Sequence, residues 1–342
     1  MSSAIDCVAP PMLRYPRAPP GMNSPGDMSC SEAIVVIPLN RSTPANDAVS
    51  ADALRTSTTR RRVAQVDGAT SRLRDDVLAV EEPLEIRLYP ADGADRVQVA
   101  VTMRTPGRDF ELAAGFLYTE GILRDAGQVS RINYCADHSL ESEQRYNIVS
   151  VFLRPGTVVN ADQLRRNFFS SSSCGVCGKA SLEAVRLRGI LPVADDGFTV
   201  DGEVFARLAE ALRGAQSIFD KTGGLHAAAL FDAGGRLVAI REDVGRHNAV
   251  DKLIGHAFLD GRLPLTGHLL MVSGRTSFEI MQKAAVARIP LVAGISAPSS
   301  LACDAARAFG MTLVGFVRGN RYSVYTGAHR IRQRGRSLPP AG

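Results

Sequence analysis

The chain has 342 residues, 45% of them hydrophobic, and a formal net charge of +5. That is enough apolar material for a full core and, by length, about two domains. No apolar run reaches the length of a bilayer span, the N-terminus lacks the charged start and apolar core of a signal peptide, and Trp is absent, so neither a membrane nor a polymeric nucleic acid is the expected partner.

Six cysteines, four scattered and two in one CxxC, do not form the dense, even framework of a small secreted scaffold, and a reducing cytoplasm is the expected compartment. Positive charge is almost all arginine. The four lysines, Lys179, Lys221, Lys252 and Lys283, all lie in the second half of the chain.

Residues 1–73 carry eight of the 18 prolines, all before Asp47, and sustain no helical or strand period. They are predicted to be a disordered extension. Order is expected from Asp76, with a strand over Val77–Val80, a second through Leu84, Ile86 and Leu88, and a third in which Val97, Val99, Val101 and Met103 alternate. A helix containing Phe110–Tyr118 follows and ends at Gly121. Another strand, Ile148–Leu153, and a helix near 161–166 complete an N-terminal α+β subdomain over 74–173.

The second subdomain, 174–330, opens on Ser170-Ser171-Ser172-Ser173-Cys174-Gly175-Val176-Cys177-Gly178-Lys179. Helices are predicted over 182–187 and 204–219, then a hairpin of Ala227–Phe231 and Leu237–Ile240 around Asp232-Ala233-Gly234-Gly235, and a helix over Asn248–Leu259. The last third alternates strand and helix: 269–272, 278–288, 291–295, 301–309 and 312–317. That order specifies a parallel sheet with helices packed on both faces, whose ligands gather at the carboxyl ends of the strands. Residues 331–342 are predicted to be a disordered tail.

A CxxC admits four readings: a zinc site, a dithiol redox pair, a nucleophile that relays sulfur, and a structural pair. Tetrahedral zinc needs two more ligands, and neither Cys135 nor Cys303 has a neighbouring Cys or His to supply them. Thioredoxin-like chemistry expects the motif soon after an N-terminal strand. For a nucleophile the surroundings suit: glycines and a helix start bring backbone N–H groups, and Lys179, Arg165 and Arg166 bring positive charge, all favouring a thiolate or a persulfide anion.

The strand ends of the last third carry Ser273-Gly274-Arg275-Thr276-Ser277, Ser296-Ala297-Pro298-Ser299-Ser300 and Val317-Arg318-Gly319-Asn320-Arg321. Hydroxyl-rich turns opening helices offer N–H groups and a positive helix end to a phosphate, and arginines can grip another. Each alone reads first as a helix cap; three at one sheet edge favour a phosphorylated or nucleotide-bearing ligand. Neither GxxxxGK[ST] nor a GxGxxG turn occurs. Arg241-Glu242-Asp243-Val244-Gly245-Arg246-His247-Asn248 is a dense polar run between strand and helix, and His226 starts a strand after glycines; either could be structural or part of a site.

Together these segments resemble the formate dehydrogenase accessory sulfurtransferases, the FdhD family. The resemblance runs from about Asp76 to Thr326 through EEPLEI, MRTPG, GFLYTEG, SSCGVCGK, TGGLHAAAL, REDVGRHNAVDKLIG, SGRTSFEIMQKA and AGISAPSSLA. It implies a cytoplasmic, homodimeric sulfur carrier that takes sulfane sulfur from a cysteine desulfurase as a persulfide. The sulfur then passes to the bis(molybdopterin guanine dinucleotide) molybdenum cofactor before insertion into formate dehydrogenase.

Residue by residue, the resemblance implies that Cys174 holds the persulfide and that Cys177 assists. The cofactor-binding stretch falls on Phe316, Val317, Arg318, Gly319, Asn320 and Arg321, and the strand-end turn adds Ser273, Gly274, Arg275 and Thr276. No metal of the protein's own is expected. The implied fold is α/β, a cytidine-deaminase-like mixed sheet with helices on both faces, plus the smaller N-terminal α+β subdomain. Deaminase chemistry itself is not expected: His226 is followed by Ala227 and Ala228 rather than a catalytic Glu, and Ser173 stands where the Pro-Cys-x-x-Cys motif needs proline. The other readings kept open are a cofactor-binding chaperone that moves no sulfur and a zinc-stabilised CxxC module.

Overall fold

The computed structural model describes residues 56–93, 95–137, 139–159, 191–193, 197–333 and 336–337. Order begins earlier than the sequence suggests. Thr58–Asp67 (β1) and Thr70–Ala79 (β2) pair antiparallel along their whole length as a two-stranded ribbon. Its residues do not alternate apolar and polar, because neither face is covered: Val66 and Leu73 are 69% and 65% exposed.

Glu82–Tyr89 (β3), Val97–Arg104 (β4), Asp109–Thr119 (α1), Val129–Tyr134 (β5), Ser142–Tyr146 (α2) and Ile148–Leu153 (β6) form the N-terminal unit. Its sheet runs β4-β3-β6-β5, with β3 and β6 parallel and the outer pairs antiparallel. Leu84, Ile86 and Leu88 alternate onto one face and bury against Leu112, Ala113 and Leu117 of α1. The predicted alternation along β4 does not hold. A register shift opposite Ile86 and Arg87 inserts one residue, so Val101 and Met103 turn outward while Val99 stays in the core. A bulge reverses the faces of the residues beyond it.

After Val200–Asp201 (β7), the predicted helix over 204–219 is two helices, Val204–Ala215 (α3) and Ser217–Thr222 (α4), separated at Gln216. His226–Asp232 (β8) and Leu237–Asp243 (β9) form the predicted hairpin, and Arg246–Leu259 (α5) follows. Then come His268–Val272 (β10), Phe278–Val286 (α6), Leu291–Gly294 (β11), Ser300–Ala308 (α7), Thr312–Arg318 (β12) and Arg321–Thr326 (β13). The six-stranded sheet runs β13-β12-β11-β10-β8-β9; β10, β11 and β12 are parallel, as expected, and the outer strands make the sheet mixed. Within the predicted tail, Ile331–Gln333 (β14) pairs with Arg336–Ser337 (β15) and with β7.

Helices cover both faces. Ala228, Leu230, Leu270, Val272, Val292 and Leu313 bury against α5, α6 and α7 on one side, and Ala229, Met271, Ala293, Val314 and Val317 against α3 on the other. This double packing requires the near-continuous apolar runs of the central strands. The N-terminal unit joins the same body through α1 and α5, which cross at Gly115 and Gly255. A Cβ at Gly115 would overlap the carbonyl of Asp251, and one at Gly255 the carbonyl of Glu111. Only glycine permits the backbones so close.

Candidate functional site

The run 241–252 is where the N-terminal unit, the six-stranded sheet and α5 meet. It carries polar side chains into the core, and most of them are paired. Arg241 donates to both carboxylate oxygens of Glu111, with Nη2 at 2.8 Å from Oε1. Burial pushes the Glu111 carboxyl up, but hydrogen bonds from His256 and Arg241 overcome it and hold the group at about 2. Glu242 accepts from the backbone N–H groups of Ile218 and Phe219, which starts α4. Asp243 accepts from Thr105 N and Gly245 N and lies 2.7 Å from Lys252 Nζ, which also donates to Thr105 O. Asn248 donates to Met103 O and Asp243. The MRTPG turn is thereby fixed to the C-terminal sheet.

On one side of this run lies a cleft of about 410 Å³, lined in part by Thr105, Pro106, Gly107, Arg108, Glu242 and Lys252. Of the described residues singled out from sequence, Arg241 and Glu242 of the polar run line it, whereas 273–276 and 316–321 do not. Those two stretches lie instead at the carboxyl ends of β10 and β12, beside the start of β8 and the end of β9, as the sheet order requires.

At that edge Ser273 extends the β8–β10 pairing, donating from N to Ala227 O and accepting Ala227 N on Oγ. Gly274 lets the chain pass His226: a Cβ there would lie 3.2 Å from His226 Nδ1 and 3.9 Å from Arg246 Cβ. Arg275 points into solvent. Thr276 pairs with Pro298, which ties the β10 and β11 turns together, and its fully buried Oγ1 has no hydrogen-bond partner among the described residues. Arg246 Nε is likewise buried without one.

The cap reading of these turns holds for one serine and not the other. Ser299 caps α7 conventionally, accepting from Ala302 N at 3.2 Å. Ser277 occupies the N-cap of α6 in extended geometry, yet its hydroxyl makes no cap bond and lies 3.0 Å from His247 Nε2. Burial, and then the charge of Arg246, pushes His247 down to about 4. The same two causes lower His226. Both imidazoles are therefore neutral at pH 7 beside an arginine.

The stretch assigned by resemblance divides. Phe316 sits at the end of β12 with φ +54° and is 41% exposed, its N–H donating to Ser296 O. Arg318, Gly319, Asn320 and Arg321 form the exposed β12–β13 turn. The Val317 side chain is fully buried against α3, which leaves only its backbone to face a ligand. The sequence leaves Arg246 and His247 open between a structural and a site role and places Ser277 in a hydroxyl-rich turn, but nothing local signals that residues thirty positions apart share a strand end. Cys174 and Cys177 lie outside the described residues, as do Lys179, Arg165 and Arg166. Among the described residues, Cys135 and Cys303 are free thiols, no group of His, Cys, Asp and Glu could hold a metal ion, and no helix is long and apolar enough to cross a membrane.

Residues 79–332 match the model of the FdhD/NarQ family. The chain belongs to this family. FdhD-type relatives align over most of their own length. A protein named sulfur carrier protein FdhD from Streptomyces avermitilis is 53% identical over 276 residues, covering 80% of this chain and 95% of its own. One of the same name from Mycobacterium tuberculosis is 47% identical, covering 80% and 99%. The fold is similar to a crystal structure described as a formate dehydrogenase accessory protein from Desulfotalea psychrophila, with TM-score 0.61 and 24% identity, covering 81% of this chain and all of the other. The FdhD/NarQ match spans the strand-end residues, the run 241–252 and both cysteines of the CxxC.

Proposed function

We propose that this chain is a sulfur carrier of formate dehydrogenase maturation, acting as a cytoplasmic sulfurtransferase. In this reading the Cys174 thiolate attacks the outer sulfur of a cysteine desulfurase persulfide. A new S–S bond forms on Cys174 as the desulfurase thiolate leaves. The acceptor is the bis(molybdopterin guanine dinucleotide) molybdenum cofactor, a substrate rather than a resident group. Cys177 attacking the Cys174 sulfur would release the outer sulfur as hydrosulfide and leave a Cys174–Cys177 disulfide, which balances the two electrons the transfer consumes.

The observation that carries the reading is the strand-end edge of a chain whose relatives bear the name sulfur carrier. It leaves Thr276 Oγ1 and Arg246 Nε buried without partners among the described residues and brings the backbone of Gly274 close to both Arg246 and His226. Those groups suit the phosphates of a nucleotide-bearing ligand. Incubation with a cysteine desulfurase and cysteine is expected to add sulfane sulfur to Cys174, seen as a mass increase of about one sulfur atom removed by reductant. A Cys174→Ala protein that labels as fully as the native chain overturns the reading.

A further inference from the structure

We propose that the β1–β2 ribbon is a docking arm for the enzyme that receives this chain's cargo, and that it binds an acidic, apolar-centred surface of cofactor-free formate dehydrogenase. The proposal rests on the reading that the chain serves that enzyme and holds a nucleotide-bearing ligand at the strand-end edge.

The ribbon stands clear of the body. Every residue from Arg60 to Asp75 is exposed except Val63 and Gln65, which are partly buried. Two strands alone bury too little to be more than marginally stable in water. An arm of this kind gains from a partner that covers it.

The register sorts its side chains onto two unlike faces. Residues directly opposite on antiparallel strands share a face, and faces alternate along each strand. Arg62 is opposite Asp75, and Ala64 is opposite Leu73. One face therefore carries Arg60, Arg62, Ala64, Val66 and Leu73, with Asp75 as its carboxylate. The other carries Arg61, Gln65, Arg72, Arg74 and Asp76. On that second face the arginines are engaged: Arg72 donates to Gln65 Oε1 and Arg74 to Asp76 Oδ1. On the first, the Arg60 and Arg62 guanidinium groups make no hydrogen bond or ion pair among the described residues, and Val66 and Leu73 are largely exposed. Free guanidinium groups beside an uncovered apolar cluster are complementary to a protein surface with an apolar hollow rimmed by carboxylates.

Position selects the partner. Ser57 Oγ, at the foot of the ribbon, donates to Pro106 O of the MRTPG turn, whose Thr105 N donates to Asp243 at the end of β9. At the other foot, Ala79 Cβ lies 3.7 Å from where a Cβ on Gly224 would stand, just before His226 begins β8. The ribbon thus rises from beside the strand-end edge. Its paired length of roughly 30 Å and width of about 10 Å give a face of roughly 300 Å², whereas a standard interface takes about 800 Å² from each partner. The ribbon alone is too small to hold a protein, so its partner must also cover the edge next to it. An enzyme that accepts a ligand held at that edge does so.

The test is surface plasmon resonance of the full chain on immobilised cofactor-free formate dehydrogenase, repeated with Arg60→Glu/Arg62→Glu, Val66→Ser/Leu73→Ser and, on the other face, Arg72→Gln. The expected result is that both double variants bind roughly tenfold or more weakly, that Arg72→Gln binds as the native chain does, and that native binding weakens with added salt. All the substituted positions are exposed, and thermal melts confirm that the variants fold. Sulfane labelling of Cys174 by a cysteine desulfurase is expected to be the same in all of them. Equal binding by the native chain and both double variants overturns the arm, as does an equal loss in Arg72→Gln. Double variants that keep dehydrogenase binding but lose binding to the desulfurase or to phosphatidylglycerol vesicles, or that dissociate from dimer to monomer, overturn the named occupant. A native chain that labels at Cys174 but does not bind the dehydrogenase overturns the arm and keeps the sulfur-carrier reading. One that binds through the ribbon but does not label keeps the arm and overturns that reading.

Discussion

Lys252 Nζ lies 2.7 Å from Asp243 Oδ2, with side chains 2% and 0% exposed, and the same ammonium donates to the Thr105 carbonyl. One buried ion pair thus joins the first turns of α5, the end of β9 and the MRTPG turn of the N-terminal unit. Lys252→Met leaves the Asp243 carboxylate buried without a cation, held only by the Thr105 and Gly245 N–H groups and the Asn248 amide. It is expected to cost roughly 3–5 kcal/mol, read as a lower urea midpoint with unchanged m-value.

The α1–α5 crossing makes a second prediction. Gly255→Ala places a methyl group against the Glu111 carbonyl, where the backbone itself must move. A loss of about 1–3 kcal/mol or more is expected from overpacking, although alanine favours an isolated helix by roughly 1 kcal/mol. Gly214→Ala in α3, where nothing lies within 4 Å of the added methyl, is the control and is expected to be neutral or stabilising in the same denaturation assay.

Glu111 sets an acid limb. Its folded pKa, about 2, is below the ordinary 4.5, so the charged form is favoured in the native state. The resulting stability is fully present above pH 4.5 and is lost as pH falls toward 2, amounting to roughly 3 kcal/mol. Glu111→Gln is expected to be less stable at pH 7 and to show a flatter decline between pH 4.5 and 2 in denaturation midpoints.

His247 titrates the opposite way for a base. Its folded pKa, about 4, lies below the ordinary 6.5, so between those values the unfolded chain binds a proton that the native chain does not, and stability falls as pH drops through that window. Imidazole nitrogen spectra of the native protein are expected to show His247 neutral down to about pH 5. Substituting Arg246 by Gln is expected to move the titration upward, because the arginine is its second cause.

Much of the C-terminal sheet was legible because buried parallel strands read as unbroken apolar runs and the helices between them carry a clear apolar face; β10, α6, β11, α7 and β12 all fall where the pattern puts them. What the pattern missed was decided by distant partners. The β4 faces switch at a bulge whose only local trace is an extra residue. The break at Gln216 is supported by Glu242, which accepts from Ile218 and Phe219 across 24 and 23 positions. The ribbon of β1 and β2 escaped notice because uncovered strands need no alternation. At the site, the hydroxyl-rich turns were visible, whereas the pairing of His247 with Ser277 depended on the sheet order. Val317 was read as part of a ligand stretch although its side chain belongs to the apolar layer under α3.

The bond between Glu111 and Arg241 spans 130 positions, which sets an order of events during synthesis. As the ribosome extends the chain, α1 can form early, but Glu111 has only Arg108, 3.8 Å away, until Arg241 of β9 has been made, and the helix's glycine seat on α5 arrives later still. The N-terminal sheet can close on α1 by itself, but the opposite face of α1, with Gly115, must wait uncovered for more than a hundred residues of translation. In that interval this helix face is what a chaperone would meet.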